Sequence, residues 1–161
     1  MDEFVSIPDF ENYFMNRQGV VLSKRRKKPR TVKSHISKNG YRLINLAKDG
    51  KKVTKNHHRI LAILFIPNPN NYEMVDHINQ IKHDNRIENL RWTTRGENAI
   101  NCGIKKNNSS GHKNIGFDKS RNKWKVQIWR ETKIVYNKRC DTLSEAVHVR
   151  DEFLYEYDKN Q

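Results

Sequence analysis

The sequence has few of the features that mark secreted, membrane-bound or disulfide-rich proteins. It has two cysteines, Cys102 and Cys140, which can form neither a disulfide framework nor a closely spaced zinc pair. We expect both to be reduced, with Cys140 buried and Cys102 near a loop. No stretch approaches the roughly 18 apolar residues of a membrane span, and the N-terminal residues lack the basic start and apolar core of a signal peptide. These absences predict an intracellular protein with no membrane partner.

The sequence is also short of apolar residues and of negative charge. Hydrophobic residues make up 35% of the 161 positions and charged residues 31%, which favours small modules over one large core. There are 32 lysines and arginines against 18 aspartates and glutamates, a formal net charge of +14. Such an excess of positive charge predicts a polyanionic partner, because each neutralised phosphate releases a counterion.

The first module, residues 1–70, is predicted to be rich in β-strand. Residues 20–23 form a short apolar strand after a glycine, and residues 40–46 alternate like a second strand. Asp49-Gly50 is a strong signal for a hairpin turn. Residues 58–65 then repeat apolar side chains with helical spacing until Pro67 stops the helix.

The adjacent pair His57-His58 begins this helix. Neighbouring side chains on a helix point in different directions, so we expect one imidazole to be packed and the other exposed. This favours a structural role over metal binding.

A basic run from Lys24 to Lys33 lies within the first module. It is compatible with a solvated flexible loop or with a nuclear-import-like signal. In a chain this basic we favour contact with the DNA backbone. The residues expected to make this contact are Lys24, Arg25, Arg26, Lys27, Lys28 and Arg30.

The second module, residues 71–101, is the most informative part of the sequence. The pair Asp76-His77 ends a strand, a polar loop follows, and residues 90–93 form a second short strand. Thr94 and Glu97 have the spacing of a capping box that opens a helix, and Asn98 lies one turn into it. A carboxylate, an imidazole and an amide oxygen can therefore converge on one point.

Those three groups suit the hydrolysis of a phosphodiester bond. Asp76 and Asn98 offer hard oxygen ligands for a divalent cation, magnesium or manganese. His77, its neighbour in a regular strand, points away from Asp76 and can act as a general base near neutral pH. We expect Asn85 and Asn89 to fix the intervening loop.

A polar linker at residues 102–110 leads to the third module, residues 111–161. Three strand-like runs are followed by a helix that opens with a second capping box, Thr142 to Glu145. In the second strand Trp124, Val126 and Ile128 face the helix, which leaves the opposite face of the sheet free. The residues expected to contact DNA from that face are Lys113, Lys125, Gln127, Trp129 and Tyr136. Trp129 and Tyr136 could instead pack together across the strands.

The central stretch resembles the HNH homing endonucleases of phages and mobile introns, with their ββα-metal core. The resemblance lies in the Asp76-His77 pair, the block from Asn85 to Trp92 and the Glu97-Asn98 pair. It implies that Asp76 and Asn98 bind the metal, that His77 is the general base, and that Asn89 is the middle asparagine that holds the loop.

The flanking modules also show resemblances. The N-terminal module is similar to the nuclease-associated module of such enzymes, although its usual early tryptophan is missing. The C-terminal module resembles the APETALA-type (ethylene-response-factor) DNA-binding domain. Asn114 and Asn122 stand where that family has glycine, a replacement that asparagine tolerates because it enters left-handed conformations more readily than most residues.

These observations predict an α+β protein with three parts: an N-terminal β-rich module, a ββα-metal core, and a three-stranded antiparallel sheet packed on one helix. The favoured function is a site-selective, metal-dependent endonuclease that nicks one strand of double-stranded DNA. The alternatives are a non-catalytic DNA-binding regulator and an RNA-binding or packaging protein. Unlike modules in a row favour a monomer on an asymmetric site. The expected location is the cytoplasm of a bacterial host for a phage protein, and a nucleus or viral factory otherwise.

Overall fold

The computed structural model describes residues 3–104, 107–130 and 133–160. The chain divides into two compact units, residues 1–101 and residues 102–161. Both combine strands with helices, which confirms the α+β class. Within the described ranges, no helix has the length and apolar character needed to cross a membrane.

Two antiparallel sheets make up the first part of unit 1. The first has the order β1-β2-β3-β4, and the second has the order β5-β6-β7. Their strands are β1 (Val5–Ile7), β2 (Phe10–Met15), β3 (Val21–Ser23), β4 (Arg30–Thr31), β5 (Ser34–Ile36), β6 (Arg42–Lys48) and β7 (Lys51–Asn56). The turn between β6 and β7 is Asp49-Gly50, where φ is 51° and 74°. Both values lie in the left-handed region that such a hairpin turn requires, as the sequence predicts.

The second part of unit 1 begins with helix α1 (His57–Phe65) and continues into a two-stranded sheet, β8 (Met74–His77) and β9 (Leu90–Thr93). Helix α2 (Arg95–Asn101) follows β9. The predicted capping box is present at its start. Glu97 N donates to Thr94 Oγ1 at 3.2 Å, and Thr94 N donates to Glu97 Oε2 at 2.9 Å. The sequence therefore fixes locally the strand–loop–strand–helix order of this region.

One hydrophobic core joins the two parts of unit 1. Buried side chains from the first sheet, β6, α1, β8 and β9 pack together in it, among them Met15, Leu46, Leu61, Val75 and Leu90. The sequence analysis separated residues 1–70 from residues 71–101, whereas in the structure the two segments share this core. A segment of about 30 residues has too little apolar surface to form a stable core alone.

Unit 2 contains the sheet β10-β11-β12 and helix α3. The elements are β10 (Ile115–Asp118), β11 (Lys123–Arg130), β12 (Lys133–Cys140) and α3 (Leu143–Lys159). Val126, Ile128 and Ala146 are fully buried between the sheet and the helix. Asn114 and Asn122 have φ values of 63° and 52°, so both adopt the left-handed conformation expected of them.

The cysteines are placed as the sequence analysis expects. Cys140 is buried in the core of unit 2 and Cys102 is exposed, and both are free thiols.

Candidate active site

Asp76 lies at the end of β8 with only 7% of its surface exposed. Its Oδ2 atom accepts hydrogen bonds from Arg91 Nε and Nη2, at 3.2 and 3.0 Å, and from Asn101 Nδ2 at 2.8 Å. All three donors meet the same oxygen. Among the described residues Oδ1 has no hydrogen-bond partner, so the carboxylate is held in place with one oxygen left to bind a ligand.

Asn98 and Asn101 lie one turn apart in α2, and residues at this spacing share a helix face. Asn101 makes the direct contacts: besides Asp76, its Nδ2 donates to the carbonyl of His77 at 3.0 Å. Asn98, the residue that the sequence analysis selected, is half-buried, and its side chain has no hydrogen-bond partner among the described residues. Asn101 is not among the site residues predicted from the sequence, although its i+3 spacing from Asn98 puts it on the same helix face.

His77 follows Asp76 in β8 and is 4% exposed. Its Nε2 atom lies 2.9 Å from Asn85 Oδ1. Its ring packs edge-on against His58, with centroids 4.8 Å apart, and lies near the ring of Tyr41. The imidazole is therefore held by one polar contact and two ring contacts.

Both histidines at the start of α1 are buried, each 5% exposed. The expectation that one would be exposed is wrong, because α1 begins inside unit 1, between the turn at Gly19 and the loop that carries Asn85. Burial lowers the pKa of His57 below its ordinary value. Burial also lowers the pKa of His58 to about 3, helped by the imidazole of His77. Neither ring carries a charge at neutral pH.

Asn89 fastens the loop between β8 and β9. Its Oδ1 accepts from Asn79 N at 3.0 Å, and its Nδ2 donates to Asn79 Oδ1 and to the Asp84 carbonyl at 2.9 and 2.7 Å. Asn85 lies in the same loop, but its side chain contacts the histidines instead: Oδ1 faces His77 and Nδ2 faces His57.

The donor set at Asp76 suits a hard divalent cation. A carboxylate oxygen and an amide oxygen are the ligand types that magnesium and manganese prefer. The Arg91 guanidinium lies 3.0 Å from Oδ2, so a cation would be repelled from that oxygen more than from Oδ1. No group of three or more His, Cys, Asp or Glu able to hold a metal occurs in the described ranges. A metal site made of Asp76 and Asn98 stays a prediction from the sequence.

Residues 24–29 of the basic run connect β3 to β4, and Arg30 begins β4. The side chains of Lys24, Arg25, Arg26, Lys27, Lys28 and Arg30 are all exposed. Its first residue is anchored, because Lys24 N donates to the Asn12 carbonyl at 2.8 Å and Lys24 Nζ lies 4.2 Å from the centre of the Phe14 ring. The loop therefore has a high density of positive charge, and its first residue is held in place by these contacts.

The sheet of unit 2 has a free face opposite α3. Trp129 is 50% exposed there, and Lys125 and Gln127 line a groove together with Gly116. Lys113 precedes this sheet, and its carbonyl accepts a hydrogen bond from Arg150 Nη1 at 3.1 Å.

Tyr136 lies on the other side of the sheet and corrects the sequence analysis, which placed it on the free face. The register shifts between Ile128 and Trp129, so Tyr136 pairs with Ile128 on the helix-covered face. There its ring stacks on Phe153 of α3, with centroids 4.4 Å apart.

Comparison with known proteins gives a consistent result. Residues 55–100 match the HNH endonuclease family. The chain is 38% identical over 89 residues to the uncharacterized HNH endonuclease L245 of Acanthamoeba polyphaga mimivirus, covering 55% of this chain and 26% of that protein. It is 36% identical over 100 residues to the DNA endonuclease I-HmuI of Bacillus phage SP01, covering 62% of this chain and 56% of that protein.

A solved structure extends the likeness to the fold. The structure titled "DNA binding and cleavage by the HNH homing endonuclease I-HmuI" superposes with a TM-score of 0.54 at 37% identity, over 62% of this chain and 56% of that one. The chain thus spans between about a quarter and a little over half the length of these relatives.

Proposed function

We propose that this chain is a DNA endonuclease of the HNH homing type that hydrolyses phosphodiester bonds in double-stranded DNA. The observation that carries the proposal is the buried Asp76-His77 pair at the end of β8, with α2 packed beside it. The match of residues 55–100 to the HNH endonuclease family supports the same assignment. A protein that only binds DNA has no need of an oriented carboxylate beside a buried imidazole.

Asp76 Oδ1 and the amide oxygen of Asn98 are the groups that hold magnesium or manganese. A cation held by these two oxygens would supply positive charge beside the scissile phosphate and the leaving 3′ oxygen. Arg91 and Asn101 keep the Asp76 carboxylate oriented through Oδ2. Asn98 lies on the same helix face as Asn101 and so faces the same side of the site.

His77 takes the proton from the attacking water. A general base must be neutral before it accepts a proton and must be held within reach of the water. The packing against His58 and the contact with Asn85 fix the ring. Its position one residue after Asp76 in the strand directs it away from the carboxylate.

DNA contacts outside the active site come from two surfaces. The exposed basic loop between β3 and β4 binds phosphates without reading sequence. The free face of the unit 2 sheet, with Lys125, Gln127 and Trp129, reads the major groove, where a glutamine can pair with adenine.

The chain acts as a monomer on an asymmetric site and cuts one strand. A two-fold dimer would suit a palindromic site, whereas the two units of this chain differ in fold. One Asp76-His77 pair then cleaves one strand in each binding event. The product is nicked circular DNA, and linear DNA appears late.

The decisive experiment is incubation of supercoiled plasmid with the purified protein, in magnesium or manganese and in chelator. We expect nicked circles only with metal. His77→Ala should lose cleavage while it keeps DNA affinity, because the base acts only in the transition state. His148→Ala, an exposed histidine of unit 2, is the control that should cleave normally. Normal cleavage by His77→Ala contradicts the assignment of the base, and DNA binding without any cleavage favours a regulator.

The same plasmid assay also tests whether the protein acts as a monomer that cuts one strand. Simultaneous cuts in both strands at the lowest enzyme concentration, together with a dimer in sedimentation, would exclude the monomeric nicking enzyme.

A further inference from the structure

A continuous path of hydrogen bonds joins the N-terminal part of unit 1 to His77. The Gly19 carbonyl lies 2.7 Å from His57 Nε2, His57 Nδ1 lies 2.9 Å from Asn85 Nδ2, and Asn85 Oδ1 lies 2.9 Å from His77 Nε2. The four groups come from the turn before β3, the start of α1, the loop after β8 and the end of β8. They are far apart in the sequence and meet only in the fold.

The Gly19 carbonyl sets the direction of every bond in this path. A carbonyl oxygen can only accept a hydrogen bond, so His57 Nε2 must carry a proton. His57 is buried, and burial lowers its pKa, as does the charge of Arg42. The ring is therefore neutral, and a neutral imidazole with a proton on Nε2 has a bare Nδ1.

A bare Nδ1 on His57 decides which way the Asn85 amide faces. Only the NH₂ group of Asn85 can donate to that nitrogen, so the amide oxygen must face His77. The reversed amide would place two acceptors or two protons against each other. The amide oxygen in turn requires a proton on His77 Nε2, which leaves His77 Nδ1 as the nitrogen with a lone pair.

We propose that His57 and Asn85 are positioning residues that fix the tautomer of His77, so that His77 Nδ1 is the atom that accepts the proton from water. This inference rests on the proposed nuclease function for its consequence, but the tautomer itself is a property of the folded chain.

The contact between the Gly19 carbonyl and His57 Nε2 requires a glycine at position 19. Gly19 has φ of +80°, and a Cβ atom there would lie 2.6 Å from His57 Cε1. Any other residue would therefore push the imidazole away. Asn16 holds the turn, because its Oδ1 accepts from Val20 N at 2.8 Å and its carbonyl accepts from Gly19 N at 2.9 Å. The Gly19 carbonyl, which sets the direction of the hydrogen bonds in the path, is therefore itself held in place.

A purely structural role for the same residues makes a different prediction. If His57 only fills space, every substitution there harms the site through packing, and no change at Asn85 repairs it. If His57 acts through the direction of the Asn85 amide, Asn85→Asp repairs its loss. A carboxylate presents only acceptors, so it keeps the proton on His77 Nε2 whichever way it faces.

The experiment compares the wild-type chain with His57→Leu, Asn85→Asp and the double variant. The ¹⁵N NMR signals of the His77 ring are recorded in mildly alkaline buffer, where an ordinary imidazole is neutral, and report which nitrogen carries the proton. Single-turnover cleavage and DNA affinity are measured on the same samples. His35→Leu, an exposed histidine of β5, is the matched control and should leave the His77 signals unchanged.

In the wild type and in Asn85→Asp we expect the proton on Nε2. In His57→Leu we expect a mixture of tautomers and cleavage slower by about 10- to 100-fold, the usual effect of losing a partner that orients an active group. The double variant should return to the single tautomer and to within a few-fold of the Asn85→Asp rate.

Two results would overturn the proposal. One is a wild-type spectrum in which His77 carries its proton on Nδ1. This result is obtained on the wild-type chain alone and does not depend on whether any variant folds. The other is a double variant whose His77 tautomers remain as mixed as in His57→Leu. Absence of cleavage in the wild type would count against the nuclease function alone, since the ring signals still report the tautomer.

Discussion

Asp76 and Arg91 face each other directly across the β8–β9 ladder. Arg91 donates from Nε and Nη2 to one carboxylate oxygen, Oδ2, at 3.2 and 3.0 Å. Asn101 donates to the same oxygen at 2.8 Å. Because three donors bind one oxygen, the carboxylate is held in a fixed orientation, and the other oxygen is the one at which we propose that a cation binds.

The first prediction concerns that second oxygen. Asp76→Asn should abolish metal binding and cleavage, because an amide contributes no negative charge to hold a divalent cation. Isothermal titration with manganese and plasmid nicking measure the two effects. Asp9→Asn, at an exposed aspartate in the turn between β1 and β2, is the control and should behave as the wild type. Metal-dependent nicking by Asp76→Asn at the wild-type rate would place the metal elsewhere.

The second prediction separates Asn98 from Asn101. Asn98→Ala should leave the free energy of unfolding almost unchanged but remove metal-dependent cleavage, because the Asn98 side chain has no hydrogen-bond partner among the described residues. Asn101→Ala should lower the free energy of unfolding by about 1.5–3 kcal/mol, the usual contribution of a hydrogen bond to a charged group. Urea denaturation measures the free energy of unfolding, and plasmid nicking measures cleavage, for both variants. The reverse pattern would make Asn101 the metal ligand.

The sequence indicates the parts of the site that depend on local structure. Asp76 and His77 end an apolar strand, and the capping box from Thr94 to Glu97 starts α2 where it is expected. These features follow from side-chain periodicity and from hydrogen bonds within four residues, both of which can be read from the sequence.

The parts that the sequence does not indicate depend on contacts between distant segments. Arg91 meets Asp76 only through the strand register. His57 meets Asn85 only because α1 packs beside the loop after β8. Tyr136 faces α3 because the register between β11 and β12 shifts by one residue, which changes which residues oppose each other. Alternation along one strand cannot reveal such a shift.

The third prediction concerns the basic loop between β3 and β4. Replacing Arg25, Arg26, Lys27 and Lys28 with glutamine should weaken binding to all DNA sequences alike and reduce the dependence of affinity on salt. Each lost phosphate contact lowers the slope of log K against log salt by about 0.9. Fluorescence anisotropy over a range of salt concentrations measures this slope. An unchanged slope would show that the loop does not contact phosphates.

The fourth prediction concerns unit 2. Removal of residues 111–161 should leave metal-dependent cleavage but reduce affinity and site preference, because phosphate contacts position a protein without reading sequence. Within the full chain, Gln127→Ala on the free face should relax site preference, whereas Tyr136→Phe on the covered face should not. Cleavage-site sequencing on a randomised library measures preference. Unchanged selectivity in the truncated protein would contradict the assignment of that sheet.

The last prediction concerns His58, whose Nδ1 atom is buried without a hydrogen-bond partner among the described residues. Burial lowers the pKa of His58 to about 3, while in the unfolded chain it is about 6.5. Between these values the unfolded state binds more protons, so stability is full above about pH 6.5 and falls as the pH is lowered, by up to about 1.4 kcal/mol per pH unit.

His58→Phe fills a similar space without a titrating group. It should reduce the loss of stability between about pH 6.5 and 4.5, which lies above the range where carboxylates protonate. His57 keeps part of the slope, since its pKa is lowered too. Urea melts followed by NMR signals of unit 1 measure the slope, and His35→Phe is the exposed control. Equal slopes in the wild type and His58→Phe would mean that His58 takes up its proton in the folded chain without cost.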